Sequence, residues 1–289
     1  MKNSCLLKLF SVFSIIAALF LPSLSDALTI TYIDPSYNAQ NFTNLNISTN
    51  SLEFDSAGNI YAVNDVNNYS GTAVIERLDA STGYTTSSVY ATYAAIISVT
   101  GLVFDGLGNL YSSGSDIGGN SGVIYKTDLS TMTTSLYYTL SDFRPTGIGA
   151  DSSGNVYFTG RLISDPFFGN IYKLDSSMSL STLVPGFVGR GIDVDSSGNI
   201  FASNWSDDSI YRFDAATLTP TIIATFDKTP AELTFDESGN LYAFENYIQL
   251  GTTEIIRLSQ VPEPSTLLLL GSGLAGLAVL RKRLKVRGS

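Results

Sequence analysis

Leu52-Glu53-Phe54-Asp55, followed after two residues by Gly58-Asn59-Ile60-Tyr61, is the stretch that decides the fold. The chain repeats this pattern four more times, starting at Leu102, Ile148, Ile192 and Leu233. The aspartates of successive copies are 50, 46, 44 and 41 residues apart. A period of this length, built from short apolar runs and turn residues, is typical of the blades of a β-propeller.

A second pattern lies further along each repeat and alternates apolar with polar residues. Its first copy is Ile75-Glu76-Arg77-Leu78-Asp79, and its basic position recurs as Lys126, Lys173, Arg212 and Arg257. The basic residue follows the repeated aspartate by 22, 21, 22, 17 and 21 residues. Alternation with a period of two predicts a strand. Each repeat therefore holds a first strand ending at the aspartate, a second after Gly-Asn, a third with the basic residue, and a fourth in runs such as 87–93, 134–139 and 220–226.

The number of blades follows from the two ends of the repeat region. The fifth repeat stops after its third strand, because Pro262 follows Leu258 by four residues. Residues 28–33 (Leu-Thr-Ile-Thr-Tyr-Ile) have the pattern of one strand, and we expect this N-terminal strand to complete the last blade and close the ring. The prediction is an all-β propeller over residues 28–260, with five blades of four antiparallel strands. Six blades are the alternative, although residues 37–50 are too short and polar to form three strands.

The N-terminal 27 residues have the features of an export signal. Lys2 and Lys8 precede an apolar run at 9–21, and the small residues Ser25 and Ala27 follow it. A positive start, a short apolar run and small residues at the end are typical of a secretory signal peptide, which is removed from the mature protein. We therefore assign residues 1–27 to a signal peptide.

Residues 261–289 form a tail of a different composition. Pro262-Glu263-Pro264 precede an apolar run at 267–280, and five cations follow between 281 and 287. Fifteen helical residues at 266–280 would span about 22 Å, at ~1.5 Å each, which is less than the ~30 Å hydrocarbon core of a bilayer. The tail thus predicts a short C-terminal hydrophobic helix that is a transmembrane segment but a poor permanent anchor.

This order of parts resembles the PEP-CTERM sorting tail of Gram-negative bacteria that make exopolysaccharide. The resemblance implies export by the secretion machinery, transient residence in the inner membrane, and recognition by an exosortase with cleavage near the motif Pro262, Glu263 and Pro264. It also implies a final place in the cell envelope or in the extracellular biofilm matrix. The repeat region resembles the NHL and gluconolactonase-type propellers over about 230 residues.

Composition excludes several classes of site. The chain has no histidine and its one cysteine, Cys5, lies in the signal peptide, which excludes Ser-His-Asp and Cys-His nucleophiles and histidine-ligated metals. Residues 28–260 hold 9 Lys and Arg against 24 Asp and Glu, a net charge of -15, so nucleic acid is not an expected partner. No resident cofactor is expected, and the acidity leaves a divalent cation such as calcium, or a neutral or sparsely charged polysaccharide, open as a ligand.

The five repeated aspartates are interpreted as turn residues. An aspartate three residues before Gly-Asn suits a short hairpin loop, in which its carboxylate accepts local backbone hydrogen bonds and the glycine takes a positive φ. A calcium-binding EF-hand loop would need further acidic ligands and a bidentate glutamate, which none of these turns provides.

Strand direction separates two faces of the disc. We call the face with the uniform turns between first and second strands the lower face, and the opposite one the upper face. Upper loops differ in every blade, and variable loops on a rigid scaffold suit binding.

The upper face also carries residue types that suit a sugar site, because tryptophan can stack on a sugar ring while charged groups hydrogen-bond its hydroxyls. The alternative for the tryptophan is packing between blades. The candidate binding residues of the upper face are Asp65, Arg144, Arg161, Arg190, Trp205 and Glu245.

Two function classes follow. The first, which we favour, is an exported, non-enzymatic propeller that binds extracellular polysaccharide or a surface protein. The alternative is a metal-dependent lactonase or hydrolase of the gluconolactonase type, whose resemblance implies a metal held by Glu, Asn and Asp at the channel mouth. Glu53, Asp193 and Glu232 are the acidic residues of the first strands besides the turn aspartates, but no matching asparagines accompany them. We therefore assign no catalytic residue and no metal ligand.

Overall fold

The structure is a computed structural model that describes residues 28–45, 47, 49–64, 72–94, 96–116, 118–244 and 253–261. Two strands come first, β1 (Ile30–Ile33) and β2 (Tyr37–Leu45). Blade I holds β3 (Thr49–Phe54), β4 (Ile60–Asn64), β5 (Thr72–Leu78) and β6 (Ser87–Ala94), and blade II holds β7 (Ile96–Phe104), β8 (Asn109–Asp116), β9 (Ser121–Asp128) and β10 (Thr133–Ser141). Blade III holds β11 (Phe143–Ala150), β12 (Val156–Leu162), β13 (Gly169–Leu174) and β14 (Leu180–Pro185).

The remaining strands form two further sheets. Blade IV holds β15 (Gly189–Val194), β16 (Ile200–Asn204), β17 (Ser209–Phe213) and β18 (Pro220–Phe226), and blade V holds β19 (Glu232–Phe235), β20 (Leu241–Phe244) and β21 (Thr253–Gln260). The signal peptide and the C-terminal hydrophobic helix of the sequence prediction lie outside the described residues. Within those residues no helix is long and apolar enough to span a bilayer.

The blades surround a central axis. Their first strands, β3, β7, β11, β15 and β19, contact one another in cyclic order, and β19 contacts β3 to complete the circle. Hydrophobic side chains from adjacent blades form buried clusters between the sheets. The predicted five-bladed propeller is confirmed, and the described strands leave the six-blade alternative without support.

The two repeated sequence patterns meet inside each blade. The aromatic residue after Gly-Asn lies directly opposite the basic residue of the third strand, as in Tyr111 with Lys126 and Tyr157 with Lys173. The Nζ atoms of Lys126 and Lys173 lie 5.5 and 5.4 Å from the ring centres of these tyrosines. Cross-strand pairs and cation–π contacts of this kind stabilise a sheet locally, which explains why the two patterns recur at a nearly constant spacing.

Glycines allow the inner strands to approach the axis closely. A Cβ atom added to Gly147 would lie 2.3 Å from the carbonyl oxygen of Arg190, and one added to Gly191 would lie 2.6 Å from the backbone of Glu232. Both contacts join neighbouring blades. A larger residue at either position would push two inner strands apart, because the interior is close-packed.

The strand that closes the ring differs from the prediction. Residues 28–33 do not complete blade V, since β1 pairs with β18 and adds a fifth strand to the outer edge of blade IV. β2 pairs with β21 along its whole length and becomes the fourth strand of blade V. β2 is polar because outer strands are largely exposed, and only its end residues Tyr37 and Leu45 are buried. The sequence analysis therefore missed β2 as the closing strand, because its residues are mostly polar and show no strand pattern.

Truncation distinguishes the two N-terminal strands. Removing residues 28–45 should expose the edge of β21 and open the ring, which we expect to lower the stability by several kcal/mol out of a typical total of about 5–15. Removing only residues 28–33 deletes an added outer strand and should cost clearly less. Chemical denaturation of both variants checks this, and equal losses of stability in the two would contradict the assigned closure.

Candidate functional site

The repeated aspartates hold the lower turns together. Asp195 Oδ1 accepts hydrogen bonds from the backbone N–H groups of Ser197 at 2.9 Å and Asn199 at 2.8 Å, and its Oδ2 accepts one from the Asn199 amide at 2.7 Å. The other copies make the equivalent aspartate–asparagine contacts. The glycine of each turn has φ between +78° and +93°. The structural interpretation of these aspartates is confirmed, because their oxygens are already occupied within the turn.

A cavity of about 870 Å³ opens on the lower face between these turns. Its acidic lining residues are Glu53, Asp55, Asp105, Asp195, Asp236 and Glu237, and none of the described residues that line it is a lysine or arginine. Sequence reasoning assigned only stability to this face and did not predict the cavity. The available signal was the convergence of five inner strands, each ending in an aspartate, on one point.

Glu53 of the cavity lining and two further carboxyl groups, Asp193 and Glu232, are buried between the inner strands of blades I, IV and V. Glu53 Oε2 accepts a hydrogen bond of 2.6 Å from the Thr234 hydroxyl, and Asp193 Oδ2 accepts one of 2.8 Å from the backbone N–H of Phe235. Glu232 is 1% exposed, and its Oε2 accepts no hydrogen bond from the described residues. Sequence reasoning named these residues, but only the fold shows that they are buried together.

Burial controls the protonation of these groups. It raises the pKa of Asp193 to about 7 and the pKa values of Glu53 and Glu232 well above their ordinary range, and the proximity of other carboxyls raises the pKa of Glu53 and Glu232 further. Removing a charge from water is costly unless a partner compensates for it. Across the described part of the chain, no three acidic side chains are arranged to hold a metal ion. The three buried carboxyls, which burial favours in the protonated form, differ from the Glu, Asn and Asp set that the gluconolactonase resemblance implies.

This cluster predicts an unusual pH dependence of stability. A carboxyl whose pKa is higher in the folded state than in the unfolded chain keeps its proton on folding, so its contribution is fully present below the unfolded pKa of about 4 and is lost as the pH rises through the folded value. We expect the wild-type protein to lose stability between pH 5 and about 7.5.

The variant Glu232→Gln keeps the shape of the side chain and removes its ionisation. It should be more stable than the wild type at about pH 7.5 and should show a smaller loss over the same pH range. Urea unfolding at both pH values measures the effect, and the exposed Glu237→Gln serves as the control. A wild-type stability that rises through this range would contradict the assignment.

The upper face brings four of the six candidate residues together. Arg144 on β11 lies directly opposite Arg161 on β12, Arg190 is the second residue of β15, and Trp205 lies in the turn between β16 and β17. The guanidinium carbons of Arg161 and Arg190 are 5.6 and 5.3 Å from the centre of the Trp205 ring. We call these four residues the Arg–Trp cluster. Asp65 and Glu245 lie outside the described residues.

Hydrogen bonds to the backbone position the cluster. Arg190 Nη1 donates to the Thr229 carbonyl at 3.2 Å, and Arg144 Nη2 donates to the Gly119 carbonyl at 3.3 Å. The Trp205 backbone N–H donates to the Val188 carbonyl at 2.9 Å. The indole is 50% exposed, so it does not pack as a plug between blades. The sequence placed these residues on one face, but the contacts between blades III and IV were not predictable from spacing.

Two exposed aromatic residues border the cluster in the chain. Phe167 and Phe168 lie in the loop that follows β12, the strand of Arg161, and their exposed fractions are 87% and 59%. They were not among the candidate binding residues of the sequence analysis. Large exposed aromatic groups on one face are typical of interaction surfaces.

Solved structures with a similar fold share little sequence with this chain. A protein provisionally described as a gluconolactonase gives a TM-score of 0.49 at 10% identity, covering 81% of this chain and 97% of its own. A calcium-binding protein, regucalcin, from Agrobacterium tumefaciens gives 0.47 at 13%, covering 77% and 94%. TolB from Acinetobacter baumannii gives 0.48 at 16%, covering 75% and 55%.

Sequence comparison identifies the tail. No curated protein matches the chain. A family description does match residues 260–283, which contain Pro262, Glu263 and Pro264 followed by the apolar run and the first cations. The chain carries a PEP-CTERM protein-sorting motif at its C-terminus, as the resemblance implied, behind a five-bladed β-propeller.

Proposed function

We propose that this protein is an exported, exosortase-sorted propeller that binds extracellular polysaccharide through its upper face. The observation that supports this most directly is the Arg–Trp cluster, in which a half-exposed indole has two guanidinium groups beside its ring. The sorting motif supports export and recognition by an exosortase. Delivery to the extracellular matrix and binding there are parts of the proposal.

The cluster combines the two kinds of side chain that a sugar-binding site uses. An indole face offers a large, rigid apolar surface with little conformational entropy to lose, which suits stacking against a sugar ring. Guanidinium groups offer several N–H donors in a fixed plane for sugar oxygens. Because Arg161 and Arg190 come from neighbouring blades, the site depends on the rigid packing of the disc and not on one mobile loop.

The attachment of the tail supports the upper face as the exposed one. β21 runs toward the lower face, where Gln260 lines the acidic cavity. The Val261 N–H donates a hydrogen bond of 2.7 Å to the Ser36 carbonyl, and Pro262 of the sorting motif follows directly. The chain thus leaves the disc opposite the Arg–Trp cluster. While the tail is still attached, we expect this exit point to hold the lower face nearer to the membrane than the upper face.

Binding of polysaccharide explains the features better than catalysis. A hydrolase needs groups that reach the substrate, whereas Asp193 and Glu232 are buried outside the cavity lining and the turn aspartates accept hydrogen bonds within their own turns. The exposed side chains that vary from blade to blade lie on the upper face instead. We therefore assign no catalytic role to Glu53, Asp193 or Glu232.

Substitution of Trp205 tests the proposed function. The full chain, purified in detergent, is tested by biolayer interferometry against polysaccharide released by the producing cells. Trp205→Ala should weaken binding at least about tenfold, which corresponds to ~1.4 kcal/mol. Lys173→Gln, which alters another cation–aromatic pair away from the cluster, should bind like the wild type.

Stability is measured in parallel to separate binding from folding. Asp195→Ala should lower the unfolding midpoint and leave the affinity of the folded protein unchanged, because the aspartate belongs to a lower turn. A folded Trp205→Ala protein with wild-type affinity would overturn the upper-face site. Absence of binding by the wild type would overturn the proposed function itself.

A further inference from the structure

The Arg–Trp cluster concentrates positive charge on an acidic domain. Of the nine cations in residues 28–260, three belong to this cluster, while the region as a whole carries a net charge of -15. Arg144 and Arg161 lie directly opposite each other on adjacent strands, an arrangement in which like charges repel. Facing arginines do not stabilise a sheet. A negatively charged partner bound to both guanidinium groups would relieve their repulsion.

The protein itself does not supply that partner within the described ranges. Arg144 and Arg161 form no ion pair with any carboxylate described there. The Nε atom of Arg144 is shielded from solvent and lacks a hydrogen-bond acceptor among those same residues. A shielded donor without an acceptor is costly, so this guanidinium is held in place at the expense of one unmade hydrogen bond.

The acidic residues closest in the chain to Trp205 have other partners. Asp207 accepts hydrogen bonds from the Tyr211 hydroxyl at 2.5 Å and from the Ser209 backbone N–H at 3.2 Å. Asp208 accepts a hydrogen bond from the Thr229 hydroxyl. These contacts hold both carboxylates within the β16–β17 turn and its neighbouring loop. Both acids thus accept hydrogen bonds from neutral donors, and neither is in an ion pair with Arg144 or Arg161.

We infer that the Arg–Trp cluster recognises the carboxylate groups of an acidic polysaccharide, one built from uronic acid units. This rests on the proposed function and adds the class of sugar. A carboxylate is planar and matches the paired N–H groups of a guanidinium, which makes arginine the preferred residue for this contact. The carboxylate of a uronic acid is attached directly to the sugar ring. One residue of the polymer can therefore stack on Trp205 and bind an arginine at the same time.

The net charge of the domain does not prevent such binding. At physiological ionic strength, exposed charges are screened beyond about 8 Å, so a polyanion at the cluster experiences mainly the nearby arginines. The acidic cavity is on the opposite face of the disc. A polyanion is therefore expected to bind the upper face and to avoid the lower one.

The test compares each polymer with its own uncharged form. Polygalacturonate and polymannuronate are measured beside versions whose carboxyl groups have been reduced to alcohols, which keeps the linkage and removes the charge. The full chain in detergent should bind at least one acidic polymer at least about tenfold more tightly than its reduced form. Arg161→Gln should abolish that difference, and Trp205→Ala should weaken binding to both forms. Lys126→Gln, on the third strand of blade II, is the matched control and should change neither.

Each other outcome contradicts a different statement. Equal binding of acidic and reduced polymers, with loss in Trp205→Ala, would overturn the carboxylate inference and leave the polysaccharide site in place. Equal affinity for polyglutamate would show that charge alone is recognised and would point to an acidic protein partner. No binding to either acidic polymer would overturn the inference, while binding to the released polysaccharide of the producing cells would still support the proposed function.

Discussion

The pairing of β2 with β21 is the interaction on which the rest of the structure depends. Four blades are each built from consecutive strands, but the fifth takes its outer strand from the other end of the domain. Without that strand β21 would be an unpaired sheet edge, which invites aggregation. Closure joins residues 37–45 to residues 253–260, so both ends of the domain are fixed on one disc. The sorting motif follows this pairing within two residues, and Gln260, the last paired residue, lies at the lower face.

The two faces of the closed ring carry different types of residue. On the lower face, the aspartate of each turn is saturated by its own backbone and by an asparagine, so these turns stabilise the disc and leave few free groups. On the upper face, loops carry the exposed indole and two phenylalanines, and the ends of strands β11, β12 and β15 carry the arginines. The side chains of the upper loops can therefore vary without destabilising the core of the ring.

The buried carboxyls between the inner strands lower the stability of the ring at neutral pH, and the packing around them offsets that loss.

Much of the fold was predictable because a propeller repeats its local signals. The aspartate, the Gly-Asn turn and the basic third strand recur at spacings that define blades, and the observed strands follow them. The closing strand was predicted wrongly, since an outer strand such as Tyr37–Leu45 is mostly exposed and has no apolar pattern to distinguish it from a loop. For the site, the upper face could be predicted from strand direction, but the contact of Arg161 and Arg190 with one indole could not. That contact joins two blades, and their relative orientation cannot be derived from the local sequence pattern of either one.

Paired cysteines across the closing strands test the central claim most directly. Asn44 lies opposite Glu254 in the β2–β21 pair, and neighbouring Cα atoms in such a pair are about 4.5–5.5 Å apart, within reach of a disulfide. Cys5 belongs to the predicted signal peptide, so a mature chain with Asn44→Cys and Glu254→Cys has no other thiol. The account predicts that mild oxidation links these two and raises the unfolding midpoint, whereas Tyr32→Cys with Glu254→Cys stays reduced. A link in the second pair and none in the first would contradict the closure of the ring by β2.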